Sequence, residues 1–293
     1  MGSTMKVMII GATGFIGKSL KEYLQKKQTF QIIAPTRIEL NLLVRDDCHK
    51  FISRVKPDCI IHCAVNVNSV DETLRAYYNV ASTYKNFGRL IYFGSGAEYN
   101  PSRYTPLMTE EYSKNSFPSE GYPLGKWVIG NDIENNGLEK LVNLRLFGIY
   151  GNYEDFSRRF ISNNICRVLS GLPISMNKDM SFDYLFVRDL CVFVEIIILQ
   201  PMIKQKTYNV CSGKPIKLTE LANIIRDLMN VIEPIKIRAE GQNNEYSGDP
   251  SRAIAEFGPI VLTSPLEAIK TMVPYFEKMF QNDSKFKMKF IGN

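Results

Sequence analysis

Metal ligands and covalent cross-links are scarce in this chain. Its 293 residues include two histidines, one tryptophan and six cysteines. The cysteines, at 48, 59, 63, 166, 191 and 211, form no C-x-x-C pair, which argues against a disulfide framework or a zinc knuckle. Cys59 and Cys63 flank an apolar, strand-like run that would hold them about 13 Å apart, too far to share a metal. Two histidines do not build a zinc site unaided, so a metal-free, cytoplasmic protein is expected. Long apolar runs are missing too. Val192–Leu199 is broken by Glu195 and falls well short of the ~20 residues needed to cross a bilayer. Secretion is not indicated either: Met1-Gly-Ser-Thr reads as a cloning scar before a natural Met5, and the apolar run after it ends at once in glycines. No internal repeat or low-complexity linker is present.

Strong charge of one sign is also lacking. The formal net charge is +6, part of it in a tail where Lys285, Lys287 and Lys289 outnumber Asp283. Elsewhere bases are interspersed with acids, whereas a nucleic-acid binder gathers them on one face. The charge suits an enzyme with an anionic small substrate at least as well. Hydrophobic residues at 45% and charged residues at 23% describe ordinary globular material. The length is about twice that of a ~150-residue domain.

Strand and helix signals alternate from the start. Lys6–Ile10 is apolar and too short for a helix, and Gly11-Ala-Thr-Gly-Phe-Ile-Gly17 follows it. Phe15, Ile16, Leu20 and Leu24 then share one helical face. Strands are predicted over 30–34, 58–64, 90–93 and 141–146, with helices over 46–55, 70–84 and 122–136 between them. This order predicts a doubly wound α/β protein with a parallel sheet. Later signals are sparser: a helix over 156–169, short strands at 184–186 and 208–210, a helix capped by Thr219 and running to 230, and a last helix over 265–280.

The glycines at 11, 14 and 17 lie between a strand and a helix. That placement suits a tight turn, a close approach of backbone to pyrophosphate, and a helix N-terminus aimed at its charge. The segment Gly11, Thr13, Gly14, Phe15, Ile16 and Gly17 is therefore a candidate dinucleotide cradle. At the end of the second strand an acid favours NAD and an arginine favours NADP. Pro35-Thr36-Arg37 offers no acid before Glu39, so Arg37 points to NADP, the alternative being an arginine solvated on a loop. Ser95 follows a buried strand. Tyr122 and Lys126, 27 and 31 residues later, lie one helical turn apart on one face. A phenol with a reference pKa near ~10 needs help to exchange protons at neutral pH. A nearby ammonium and a serine hydroxyl supply it. Tyr23 and Lys27 repeat the spacing without a serine partner, so the order of strand, serine and Tyr-x-x-x-Lys is what matters.

Together, Gly11/Gly14/Gly17, Ser95 and Tyr122/Lys126 resemble an extended short-chain dehydrogenase/reductase of the nucleotide-sugar epimerase/dehydratase branch. The similarity continues through His62-Cys63-Ala64, 143–151, 182–189, 208–213 and 248–252. It implies a Rossmann-type cofactor domain over 1–151, with return strands and helix about 183–210, and a smaller mixed substrate lobe over 152–182 and 211–293. It also implies NADP or NAD as cofactor, with Cys63 and Ala64 beside it and Tyr122 and Lys126 holding it, and a homodimer acting on a nucleotide-sugar-like small molecule in glycan precursor synthesis.

Within that branch, 4,6-dehydratases resemble Thr-Asp-Glu-x-Tyr where this chain has Gly96 and Ala97, and GDP-fucose synthases carry cysteine at the place of Ala97. Neither base is present, which leaves hydride transfer at a carbonyl, commonly C4 of a sugar. A reductase is the leading reading; a 4-epimerase retaining NAD uses the same three groups. A cofactor-sensing regulator is the non-enzyme alternative, although such proteins tend to lose the Tyr or Lys present here. Phe182 stands where many relatives have a diphosphate-binding arginine, and Gly148 where some have asparagine. Arg158, Arg159 and Lys178 either supply the missing charge or form a solvated face. Gly96, Ala97 and Glu98 are candidate sugar contacts, Glu98 alternatively turning to solvent. Asn79 either corresponds to the branch's asparagine that holds a relay water or is an asparagine on a helix surface.

Overall fold

The computed structural model describes residues 4–114 and 117–282. Most of the presumed scar and the lysine-bearing tail lie outside the described residues. From the N-terminus run β1 (Met5–Ile10), α1 (Phe15–Leu24), β2 (Phe30–Ile33), α2 (Arg45–Val55), β3 (Cys59–His62), α3 (Val70–Ala81), β4 (Arg89–Ser95), α4 (Gly121–Asn135) and β5 (Leu141–Leu146). There follow β6 (Gly148–Tyr150), α5 (Phe160–Leu169), β7 (Ser175–Met176), β8 (Ser181–Phe182), β9 (Tyr184–Phe186), α6 (Val187–Leu199), β10 (Thr207–Val210), β11 (Ile216–Lys217), α7 (Leu218–Leu228), β12 (Lys236–Ile237), α8 (Ser251–Phe257) and α9 (Pro265–Asn282).

The central sheet is parallel, in the order β10-β5-β4-β3-β1-β2. Period-two alternation divides its side chains between two cores. Val7, Ile9, Ile61, Ile91, Phe93 and Leu144 face the side covered by α1 and α6, while Met8, Ile10, Ile60, Leu90 and Tyr92 face α2, α3 and α4. Burial on both faces is why these strands read as continuous apolar runs. The chain leaves β1 first toward β2 and later toward β3 on its other side. A crevice therefore opens between the C-terminal ends of β1 and β3, where ligands of such sheets bind.

The first core continues without a break among α5, α7 and α9 through Ile161, Ile165, Leu221, Ile225, Ile269, Met272 and Phe276. Three short two-stranded pairs follow, β6 with β9, β8 with β11 and β7 with β12, and the first two roof the crevice through Gly148, Ile149 and Phe182. The late motifs hold this roof in place. Buried Asp183 accepts from the Ser212 amide and hydroxyl, at 2.7 Å each, and from the Gly213 amide at 2.9 Å. Asp189 likewise receives the Thr263 amide and hydroxyl at 2.8 Å. Asn209 accepts from Tyr99 Oη at 2.7 Å and donates to the Met108 carbonyl at 2.8 Å.

Three local expectations are corrected. Thr219 does not cap α7: the helix begins at Leu218 with Lys217 as its N-cap, and the Thr219 hydroxyl donates to Asp179 at 3.0 Å. The helix expected from 156 begins at Phe160, because the Asp155 carboxylate captures the Ser157 amide at 3.0 Å and closes a turn. Asn79 is not part of the crevice wall: its amide donates to the Leu42 carbonyl at 2.8 Å and ties α3 to the loop before α2.

Candidate active site

The glycine loop is built for close approach. Gly11 has φ +81°, and a Cβ there would lie 2.8 Å from the Ala64 amide nitrogen, so only glycine lets β1 and β3 end side by side. A Cβ on Gly17 would lie 2.3 Å from the Gly11 carbonyl oxygen, so its absence lets α1 start directly under the turn. Gly14 is the N-cap of α1, with no side chain capping the first turn and no acid within it. The orphan amides and positive end of α1 are thus left for an anion, which fits a dinucleotide pyrophosphate. Thr13 is exposed at the tip of the turn, while Phe15, Ile16 and Cys63 line the adjoining cleft.

Two depressions share Val65 and together form one groove across the ends of the strands. The smaller, of about 340 Å³, is lined by Gly11, Pro35, Thr36, Arg37, Leu40 and Asn66 among others. Arg37 is exposed there. Glu39, the nearest acid along the chain, is folded back, its carboxylate accepting from the Thr36 amide at 2.8 Å and hydroxyl at 2.9 Å, while Glu72 lines the depression and accepts from Asn66 at 2.7 Å. The bonds from Thr36 hold Glu39 below the usual carboxylate range.

The larger depression, about 560 Å³, brings Ser95, Tyr122 and Lys126 together with Ala97, Phe147, Arg159, Phe182 and Tyr246. Ser95 ends β4, and its Oγ accepts from the Ala97 amide at 3.1 Å. Burial pushes the Tyr122 phenol above its ordinary value, and hydrogen bonding from Ser95 and the positive charge of Arg159 oppose that rise. Lys126 is buried and donates to the Phe93 carbonyl at 2.5 Å, its ammonium 5.7 Å from the Tyr122 ring centre. Burial pulls Lys126 down to about 8, with Glu98 and Cys63 working in the opposite direction. Turnover is accordingly expected to fall as pH rises through about 8, where Lys126 loses its charge. A pH profile of kcat/KM checks this, and Lys126→Arg, which stays charged, should lack that limb.

The predicted substrate contacts separate. Ala97 lines the cleft, and Arg159 stands exposed at its rim. Arg158 is outside the cleft wall, 70% exposed and paired with Asp155 at 3.8 Å. Lys178 packs its stem against Gly241, also away from the cleft. Glu98 is neither a sugar contact nor turned to solvent. It is completely buried beneath the serine loop, accepting from Arg145 Nε at 2.6 Å, Asn143 Nδ2 at 3.1 Å and the Ser95 amide at 3.0 Å. A carboxylate enters the interior there because a guanidinium and amides satisfy it. Gly94 and Gly130 make the space, since a Cβ on either would lie 2.2–2.4 Å from a Glu98 oxygen.

Sequence reasoning missed the aromatic wall. Phe182 lies 4.7 Å from Tyr246 and 4.8 Å from Tyr184, ring centre to ring centre, and Phe147 lies 5.0 Å from Tyr246. Gly148 is explained by this stack: its Cβ would meet Phe182 at 2.5 Å. Tyr246 belongs to a segment without regular periodicity, and no signal in the chain marks it as facing Ser95.

A profile of a family described as "NAD dependent epimerase/dehydratase family" matches residues 7–211. A GDP-6-deoxy-D-talose 4-dehydrogenase from Aggregatibacter actinomycetemcomitans is 21% identical, over 95% of this chain and 98% of that protein. A GDP-6-deoxy-D-mannose reductase from Pseudomonas aeruginosa is 25% identical, over 78% of this chain and 81% of its own. Among solved structures, a GDP-mannoheptose C4 reductase from Campylobacter jejuni with NADP bound superposes with a TM-score of 0.80 at 21% identity, covering 94% of this chain and 99% of that one. At such identity the likeness is one of fold.

Proposed function

Since the chain belongs to the NAD dependent epimerase/dehydratase family and is an NAD(P)-dependent oxidoreductase of the extended short-chain type, we propose that it reduces a keto group, at C4, of a nucleotide-activated sugar with NADPH. The observation that carries this reading is the pairing of Ser95, Tyr122 and Lys126 with a serine loop that exposes no carboxylate or thiol. Gly96 and Ala97 have no proton to move, and Glu98 is sealed under the loop by Arg145. Elimination of water and epimerisation at a neighbouring carbon each need a base that this loop lacks. Cys63 reaches the cleft, but burial raises its thiol far above the neutral range. The curated relatives include a reductase and a 4-dehydrogenase of GDP-activated deoxy sugars, which favours the same class.

The proposed roles follow from position. Bound nicotinamide would supply hydride to the carbonyl carbon. Tyr122 donates its proton to the oxygen of that carbonyl, Ser95 donates to the phenolate left behind, and the Lys126 ammonium holds positive charge behind both. Phe182, Phe147 and Tyr246 present an apolar wall to the ring of the sugar, excluding water from the reacting carbon.

The test is a panel of keto nucleotide sugars, GDP-activated ones first, with NADPH and NADH, following nicotinamide absorbance. Oxidation of NADPH coupled to sugar reduction is expected. Interconversion of two sugar epimers with no net change in nicotinamide would overturn the reductase reading in favour of the 4-epimerase. For the cofactor, Arg37→Ala is expected to weaken NADPH binding by about 10- to 100-fold, the worth of a charge-assisted hydrogen bond to the 2′-phosphate, and to leave NADH binding unchanged. Equal loss for both would sink the assignment.

A further inference from the structure

The ammonium of Lys126 meets an aromatic face as well as a carbonyl. Its Nζ lies 4.5 Å from the ring centre of Tyr92, closer than the 5.7 Å to Tyr122, and donates to the Phe93 carbonyl at 2.5 Å. Tyr92 and Phe93 are consecutive in β4, so their side chains point to opposite faces of the sheet. Tyr92 turns toward the core shared with α3 and α4, where Lys126 arrives one helical turn after Tyr122. The ring is held from two sides. His62, its register partner on β3, lies 5.6 Å away, and Tyr77 of α3 meets it edge-on at 5.3 Å. Tyr92 is fully buried and is not part of the cleft wall.

A cation taken out of water is attracted to the negative face of an aromatic ring, most strongly where water is absent. Lys126 is in that situation, because burial disfavours its charge. Glu98 faces it from the serine loop and favours the charge, but that carboxylate is bound by Arg145 Nε at 2.6 Å. Cys63 and His62 face it from β3. Burial keeps the thiol protonated and pulls the imidazole down to about 4, so neither carries charge near neutral pH. Tyr122, on the same helix, is pushed up by burial and is neutral there too. The Tyr92 hydroxyl has no hydrogen-bond partner, so what this residue offers the site is its ring.

We propose that Tyr92 is a positioning residue whose ring face keeps Lys126 charged and fixed behind Tyr122. It touches no reacting atom and acts through the lysine alone. Its effect on turnover rests on the oxidoreductase reading, and it holds for reduction and for 4-epimerisation alike.

The test grades the ring at position 92. It compares wild type, Tyr92→Phe, a protein with trifluorinated phenylalanine placed at 92, and Tyr92→Leu. Fluorine nearly preserves the size of the ring but withdraws negative charge from its face. The alkaline limb of the kcat/KM profile should stay in place in Tyr92→Phe. It should move to lower pH in the fluorinated protein and further in Tyr92→Leu, by about one pH unit, the worth of a desolvated cation–π contact. In a Lys126→Arg background the grading should vanish, since a guanidinium stays charged. The same limb in all four proteins would overturn the proposal. So would a shift in Tyr92→Phe as large as in Tyr92→Leu, which would assign the effect to the hydroxyl. Should Tyr92→Leu not fold, the fluorinated ring carries the comparison. The ionisation of Lys126 is also read without substrate, from its side-chain NMR shift, assigned by loss of the signal in Lys126→Arg. If no sugar is turned over, the reductase reading fails while that titration still decides Tyr92.

Discussion

Tyr122→Phe is expected to lower turnover by about 10²- to 10⁴-fold while cofactor affinity stays within about twofold. The variant keeps the ring, and with it the packing of α4 against the cleft, so only the exchangeable proton is lost. Lys126 is committed to the Phe93 carbonyl and does not replace it. Steady-state turnover, with cofactor binding followed by nicotinamide fluorescence, separates the two effects. Activity within tenfold of wild type would remove Tyr122 from the centre of the chemistry.

Glu98→Ala is expected to destabilise the fold by about 3–5 kcal/mol, the cost of leaving one member of a buried ion pair uncompensated. Arg145 is 6% exposed and would keep its bonds to Tyr99 Oη at 3.2 Å, the Glu110 carbonyl at 3.0 Å and Ser113 Oγ at 2.9 Å. None of these carries a negative charge. The Ser95 amide would lose its acceptor as well, so the serine loop should loosen and activity fall with stability. Glu98→Gln, which can still accept from that amide, should cost less. Denaturant unfolding measures both, and a change below about 1 kcal/mol for the alanine variant would refute a structural role for the pair.

Much of the fold was legible because its signals are local. Apolar runs bounded by turns marked the central strands, and β5 and β9 fall at the predicted residues. The three glycines gave away the first turn through spacing and position alone. The roof was harder to read. Its strands are two or three residues long and are held by partners far away in sequence, as β8 is by β11, so neither periodicity nor propensity had room to register. Capping at Thr219 was misread for a related reason: a carboxylate 40 residues away, Asp179, offered its hydroxyl a better partner than the helix end.

The site divides along the same line. Order along the chain was sufficient to pick out Ser95, Tyr122 and Lys126, because a strand end and one helical turn carry their geometry. Whether Glu98 faced a ligand, water or the interior depended on Arg145, 47 residues away on a neighbouring strand, and on two glycines that leave room for a carboxylate. That Tyr246 lies against Gly96 depended on a loop 150 residues downstream folding back over the serine loop. Local chemistry is written in short spacings, whereas burial and hydrogen-bond direction are properties of contacts. The sequence alone therefore determined a doubly wound sheet with a dinucleotide turn and a Ser-Tyr-Lys arrangement. The tertiary structure decided which acid is silenced and which aromatic wall lines the cleft.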